Sequence, residues 1–210
     1  MQNVQLLIHG QSVDASNQAT FERISPIDGS VATKAAAATL EDVDRAIESA
    51  QQAFKVWSKL SPTERRLRLL KAADLMDQKT EQFIETGMQE TGSTATWYGF
   101  NVHLAANMLR EAAAMTTQID GSLIPSDVPG NLAMGVRVPC GVIVGIAPWN
   151  APVILTTRAL AMPLACGNTV VLKASEAYPT THRLIGEVLH EAGIGEGVVN
   201  VITHAAEDAP

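Results

Sequence analysis

The sequence predicts an α/β protein, with a helical N-terminal region leading into the first part of a doubly wound, Rossmann-like parallel sheet. Three observations carry that prediction. The runs "GVIVGI", "NTVVLK" and "VVNVIT" are short and continuously apolar, as strands buried on both faces of a parallel sheet are. Stretches of helical period, about Pro152 to Ala165 and Thr180 to Ala192, separate them, so strands and helices alternate. Upstream, between residues 39 and 120, apolar residues recur at three- and four-residue steps with helix-start signals in front of them.

The elements follow in order. Residues 1–38 read as short strands and turns: "LLIHGQSVD" sets a glycine turn between apolar flanks, and "SPIDGS" is a Pro and Asp-Gly turn. Thr39 with Asp42 forms a helix start, after which Val43, Ile47, Ala50, Phe54 and Trp57 mark one apolar face. At "SPTE", Ser61 caps, Pro62 takes the first helical position and Glu64 returns the capping bond. Leu69, Ala72, Ala73 and Met76 then give that helix its buried side. Two further helices are expected, Lys79 to Glu90 and about Thr94 to Gln118, the second turning Leu104, Met108, Ala112 and Met115 inward. Residues 121–140 hold a Gly- and Pro-punctuated loop and a strand candidate ending at Pro139, and the alternating strand and helix pattern occupies 141–210.

Composition narrows the function. At 210 residues and 46% hydrophobic, the chain can bury a sizeable core, and its net charge of -7 repels phosphate backbones and anionic lipid heads. Neither nucleic acid nor a membrane is expected as a partner. The start "MQNVQLLIHG" lacks the pattern of a secretory signal, and the apolar region 141–172 is broken by Pro148, Asn150, Arg158, Pro163 and Asn168. The two cysteines, Cys140 and Cys166, show no metal or CxxC spacing and read as reduced core thiols, which places the chain in the cytoplasm; a disulfide between them is the other reading. The histidines are scattered, so no metal site is expected.

Ligands of open parallel sheets sit outside the carboxyl ends of the strands. The first such end reads "APWN" and the second "KASE". A bare asparagine, Asn150, stands beside much apolar surface, where its amide needs partners or a use; an ordinary turn or a helix N-cap ahead of Pro152 is one explanation. Lys173, Ser175 and Glu176 form a polar cluster one unit later, in reach of ribose hydroxyls or else a solvated ion pair. A GxGxxG phosphate loop is absent.

The order "GVIVGIAPWNAPV", "PLACGNTVVLKASE", "EAGIGEGVVNVIT" resembles the aldehyde dehydrogenase superfamily, and the resemblance extends through "HGQSVDA", "SPTERRLRLLKAADLM" and "DGSLIP". Within it, "GFNVHLAANMLREAA" and "TTRALAMPLACGN" are most similar to bacterial dehydrogenases of aromatic aldehydes such as salicylaldehyde, vanillin and benzaldehyde. The resemblance implies an NAD-dependent enzyme that oxidises an aldehyde to its carboxylic acid through a cysteine thiohemiacetal and thioester. It makes Asn150 a donor of the oxyanion hole, a fixed dipole aimed at developing charge. It also implies that Ile146, Ala147, Pro148 and Trp149 line the cofactor and that Lys173, Ser175 and Glu176 lie at the adenosine ribose, where the Glu176 carboxylate favours NAD over NADP. The N-terminal strands and an oligomerisation-type strand in 121–140 are expected to make a homo-oligomer, a dimer or tetramer.

Two departures from the family pattern stand out. The nucleophilic cysteine and the general-base glutamate fall outside this sequence, and neither Cys140 nor Cys166 lies in the catalytic motif. The alternative to an enzyme is therefore a truncated, catalytically inactive nucleotide-binding module or fragment. Where many relatives carry a lysine after the asparagine, this chain has Ala159, preceded by Arg158. Arg158 is then either a helix-face charge or a hydrogen-bond donor to a ring hydroxyl, with Trp97, Leu104, Ala151 and Ile154 as walls of a flat substrate channel.

Overall fold

The computed structural model describes residues 1–206. Its elements in chain order are β1 (Gln2–Val4), β2 (Leu6–Ile8), β3 (Gln11–Val13), β4 (Thr20–Ile24), β5 (Val31–Ala36), α1 (Leu40–Trp57), α2 (Pro62–Gln78), α3 (Thr80–Thr91), α4 (Ala95–Met115), β6 (Ser122–Ile124), β7 (Ala133–Gly135), β8 (Val142–Ile146), α5 (Pro152–Ala165), β9 (Thr169–Lys173), α6 (Pro179–Glu191) and β10 (Val199–Ile202). The α/β class and the parallel strands are as the sequence predicts: β8, β9 and β10 pair in parallel and in register.

The first five strands are divided between two sheets. In the five-stranded sheet, of order β3-β2-β10-β9-β8, β2 runs antiparallel along β10 and β3 folds back on β2. The cause is apolar: Leu6, Leu7 and Ile8 are buried and close the sheet edge that β10 would otherwise leave open. Between β2 and β3, His9 (φ 55°) and Gly10 (φ 71°) both take positive φ, the backbone of a two-residue hairpin turn. A separate three-stranded sheet has the order β1-β5-β4, and β6 and β7 form a two-stranded sheet.

Local signals set the helix starts. Both capping boxes form, Thr39 with Asp42 and Ser61 with Glu64, and Pro62 opens α2. Leu69, Ala72, Ala73 and Met76 are buried as expected. The faces of α1 and α4 are rotated from expectation. In α1 the fully buried residues are Asp42, Ala46, Ala50 and Trp57, with Val43 and Ile47 only partly covered. In α4 the core residues are Tyr98, Asn101, Val102, Ala105, Ala106, Leu109, Ala112 and Ala113, while Leu104, Met108 and Met115 are half-buried. Small residues let α4 approach its neighbours closely, so the larger residues beside them sit on the flanks of the contact. The cysteines are not core residues either: Cys140 is exposed and Cys166 half-buried, and both are free thiols.

α6 starts without a side-chain cap of its own. The buried carboxylate of Glu90, on α3, serves instead, accepting from Thr180 N (2.7 Å), Thr181 N (3.1 Å) and Thr181 Oγ1 (2.8 Å). Burial pushes the Glu90 carboxyl above its ordinary pKa, against those donors. No described helix is long and apolar enough to cross a membrane.

Candidate functional site

The site lies where β8, β9 and β10 end. The chain leaves β8 at Ile146, and the Ala147 N–H donates to the Lys173 carbonyl at 2.9 Å, which ties the connection to the end of β9. Ala147 is buried and Pro148 half-buried, after which Trp149 and Asn150 turn outward. Trp149 is 67% exposed and Ile146 70%, so two large apolar side chains face solvent at a strand end.

Asn150 does not cap α5. The N-cap is Ala151, with no side-chain hydrogen bond, and Pro152 follows as the first helical residue. Exposed, and without a side-chain hydrogen bond among the described residues, the Asn150 amide has no part in holding this fold.

Beside this connection a cleft of about 820 Å³ opens against the carboxyl ends of the parallel strands, lined among others by Ile146, Lys173, Ile202 and His204 and by Thr39 and Val43 of α1. Of the residues assigned to the cofactor and the oxyanion from sequence, Ile146 and Lys173 line this cleft, and Trp149, Asn150, Ser175 and Glu176 do not. Lys173 Nζ lies 3.8 Å from Glu176, and both side chains are partly exposed, a pair contributing about 0–1 kcal/mol to stability.

Ser175 differs from its two neighbours. It is buried, and its Oγ accepts the Ala177 N–H (3.3 Å) while its carbonyl accepts the Tyr178 N–H (3.0 Å). Only Lys173 and Glu176 therefore present side chains outward. The Ser175 N–H donates to Nδ1 of His182 at 3.0 Å. His182, on α6, is fully buried; burial first, and the Lys173 charge second, depress its pKa to about 3. The Pro152 carbonyl acts in the opposite sense, but makes no hydrogen bond of normal geometry with Nε2. Sequence reasoning missed His182. The signal available was a histidine three residues before Ile185 and seven before Leu189, on the apolar face of an amphipathic helix.

The proposed substrate walls sit on α4 and α5, which pack against each other. Trp97, 40% exposed, stacks on Phe100 with centroids 5.8 Å apart, and Phe100 is an aromatic that the sequence reading left out. Ile154 is buried, Leu104 and Ala151 are half-buried, and Arg158 is exposed with no ion pair among the described residues. None of them lines the cleft beside Lys173. Asn168 clips the start of β8 to the end of α5, its Oδ1 accepting from Cys140 N and Gly141 N and its Nδ2 donating to the Pro163 carbonyl. Among the described residues, no three His, Cys, Asp or Glu side chains gather as a metal site would require.

The chain is similar over its whole length to a vanillin dehydrogenase of a Pseudomonas species (strain HR199), at 63% identity, and covers 44% of that protein. Its fold superposes on a crystal structure of a salicylaldehyde dehydrogenase from Pseudomonas putida G7 complexed with salicylaldehyde, with a TM-score of 0.96 and 46% identity, covering 99% of this chain and 43% of that one. It also superposes on PnpE in complex with nicotinamide adenine dinucleotide, with a TM-score of 0.94 and 40% identity, covering 100% and 43%. The chain thus spans less than half the length of each of these three relatives. A model of the aldehyde dehydrogenase family matches residues 13–209. With that match across nearly all of the strands and helices that build the site, the chain belongs to the aldehyde dehydrogenase family.

Proposed function

We propose that the protein carrying this chain oxidises an aromatic aldehyde to its carboxylic acid with NAD, and that this chain supplies the oxyanion-stabilising amide and part of the cofactor wall. The observation that carries the reading is Asn150: exposed at the carboxyl end of a parallel strand, beside a helix it does not cap, with an amide that makes no side-chain hydrogen bond among the described residues. A side chain left idle by the fold is free to donate to a carbonyl oxygen as negative charge builds there.

The residues present fit NAD. Exposed Ile146 and Trp149 offer an apolar wall, and Lys173 and Glu176 offer a cation and an acceptor at the next strand end, the arrangement that ribose hydroxyls require. When bound, NAD supplies the hydride acceptor. A carboxylate at Glu176 would repel a 2′-phosphate, which favours NAD over NADP; the NAD complex of PnpE supports the same choice. Ser175 holds the turn rather than touching the sugar.

Ring recognition is assigned to Arg158, with Trp97, Leu104, Ala151 and Ile154 shaping the approach. Vanillin and salicylaldehyde both carry a ring hydroxyl, and an exposed guanidinium without an ion pair is suited to receive one. Neither Cys140 nor Cys166 acts as nucleophile in this reading. The nucleophile belongs to the part of the relatives that this chain does not span.

The region 121–140 is assigned to contact with a second copy of the chain, in a dimer or tetramer. Leu123, Val128, Leu132, Met134, Val136 and Val138 are each at least 60% exposed around the β6–β7 ribbon, and a cluster of exposed apolar side chains is what an interface would cover.

The test is Asn150→Ala in the complete natural protein. We expect kcat to fall about 10²–10³-fold, with stability changed by no more than about 0.5 kcal/mol. An unchanged kcat refutes the assignment.

A further inference from the structure

We propose that His182 is a positioning residue for the cofactor: from inside the fold, its Nδ1 holds the Ser175 N–H and so sets the turn that places Lys173 and Glu176. The proposal rests on the reading that these two side chains meet the adenosine ribose.

The geometry is specific. The last backbone bond joining β9 to its neighbour is Ala174 N–H to the Ile202 carbonyl, at 2.8 Å. One residue later, the Ser175 N–H lies beyond the ladder, in a residue 3% exposed, where an unpaired donor is costly. The imidazole of His182 takes it at 3.0 Å. The turn is closed by Tyr178 N to the Ser175 carbonyl and by Ala177 N to Ser175 Oγ, and the Tyr178 ring lies against His182 with centroids 5.9 Å apart. Of these anchors, only His182 comes from a side chain on another element. Because Nδ1 accepts, the neutral ring carries its proton on Nε2. Burial keeps the ring neutral through the physiological range, so the acceptor is permanent.

His182→Leu keeps the apolar bulk and removes the acceptor, whereas His182→Asn keeps an acceptor near the Nδ1 position. In the complete natural protein, His182→Leu is expected to raise the NAD dissociation constant about tenfold, with kcat at saturating NAD within about twofold of the parent. His182→Asn is expected to stay within about threefold. Two readouts need no turnover: the imidazole nitrogen NMR spectrum of the parent should show Nδ1 unprotonated, and exchange of the Ser175 amide proton should quicken in His182→Leu. A purely structural role would lower thermal stability in both variants and leave the NAD constant unmoved; that result overturns the proposal.

Glu176→Gln separates this inference from the reading beneath it. If Glu176→Gln weakens NAD binding and a folded His182→Leu does not, the positioning role fails alone. If neither weakens it, the ribose assignment falls and the positioning role falls with it. Should His182→Leu not fold, the parent spectrum decides: a protonated Nδ1 overturns the proposal, and a bare one, with His182→Asn retaining NAD affinity, supports it.

Discussion

One substitution, glycine to alanine, should act with opposite signs at two helix positions. A Cβ on Gly87 of α3 would stand 1.7 Å from Cζ of Tyr98 and 2.0 and 2.2 Å from its two Cε atoms. Carbon atoms settle at about 3.5–4.0 Å, so the fully buried ring must retreat by about 2 Å, or the two helices must part. Overpacking of this kind costs about 1–3 kcal/mol or more, and the gain of about 0.5–1 kcal/mol from replacing a helical glycine cannot offset it. At Gly99 of α4, the nearest atom to the new Cβ is Ile84 Cδ1 at 3.8 Å, an ordinary contact, and only the gain remains. We expect Gly87→Ala to destabilise by about 2 kcal/mol and Gly99→Ala to stabilise by about 0.5 kcal/mol. Urea denaturation with an unchanged m value reads both. Midpoints that move in the same direction would show that the close approach of α3 and α4 at Gly87 is not what this packing requires.

Acid should weaken the fold through His182. Its folded pKa of about 3 lies below the ordinary imidazole value of about 6.5, so its contribution is fully present above about pH 6.5 and is lost as pH falls toward 3, because the unfolded chain binds the proton first. His182→Asn should flatten that part of the pH profile of the urea midpoint; an unchanged profile would mean that the ring is not buried neutral. On the β6–β7 ribbon, Leu123→Glu with Met134→Glu should reduce the assembly mass of the complete natural protein in light scattering. Both residues are well exposed, so protomer stability should shift by no more than about 0.5 kcal/mol for each change. An undiminished mass would remove the ribbon from the interface.

What could be read from sequence was what depends on near neighbours. The capping boxes at Thr39 and Ser61, and the strand ends at Ile146 and Lys173, involve residues a few positions apart, and each formed as written. The buried face of α4 departs from the sequence expectation because side-chain size does not mark burial in this helix. In this helix, Ala105, Ala106, Ala112 and Ala113 make the contact, and Met108 and Met115 border it. The partners of Glu90 and His182 depend on distant chain: Glu90 is 90 residues from Thr180 in sequence, and a buried polar side chain announces neither its burial nor its partner. Asn150 was visible as an oddity beside apolar surface, but only the structure shows that Ala151 takes the cap position.

The pairing of Leu7 with Val201 joins the two ends of the described chain in adjacent strands. During synthesis, the edge of the sheet must wait: residues 6–8 have no partner until β10, at Val199–Ile202, has also left the ribosome. Closing so long a loop is slow, and until it closes the apolar "LLI" strand is open to adventitious pairing. Removing the first ten residues would leave β10 in the same condition permanently, so the loss should appear as poor yield and aggregation before it appears in any rate constant.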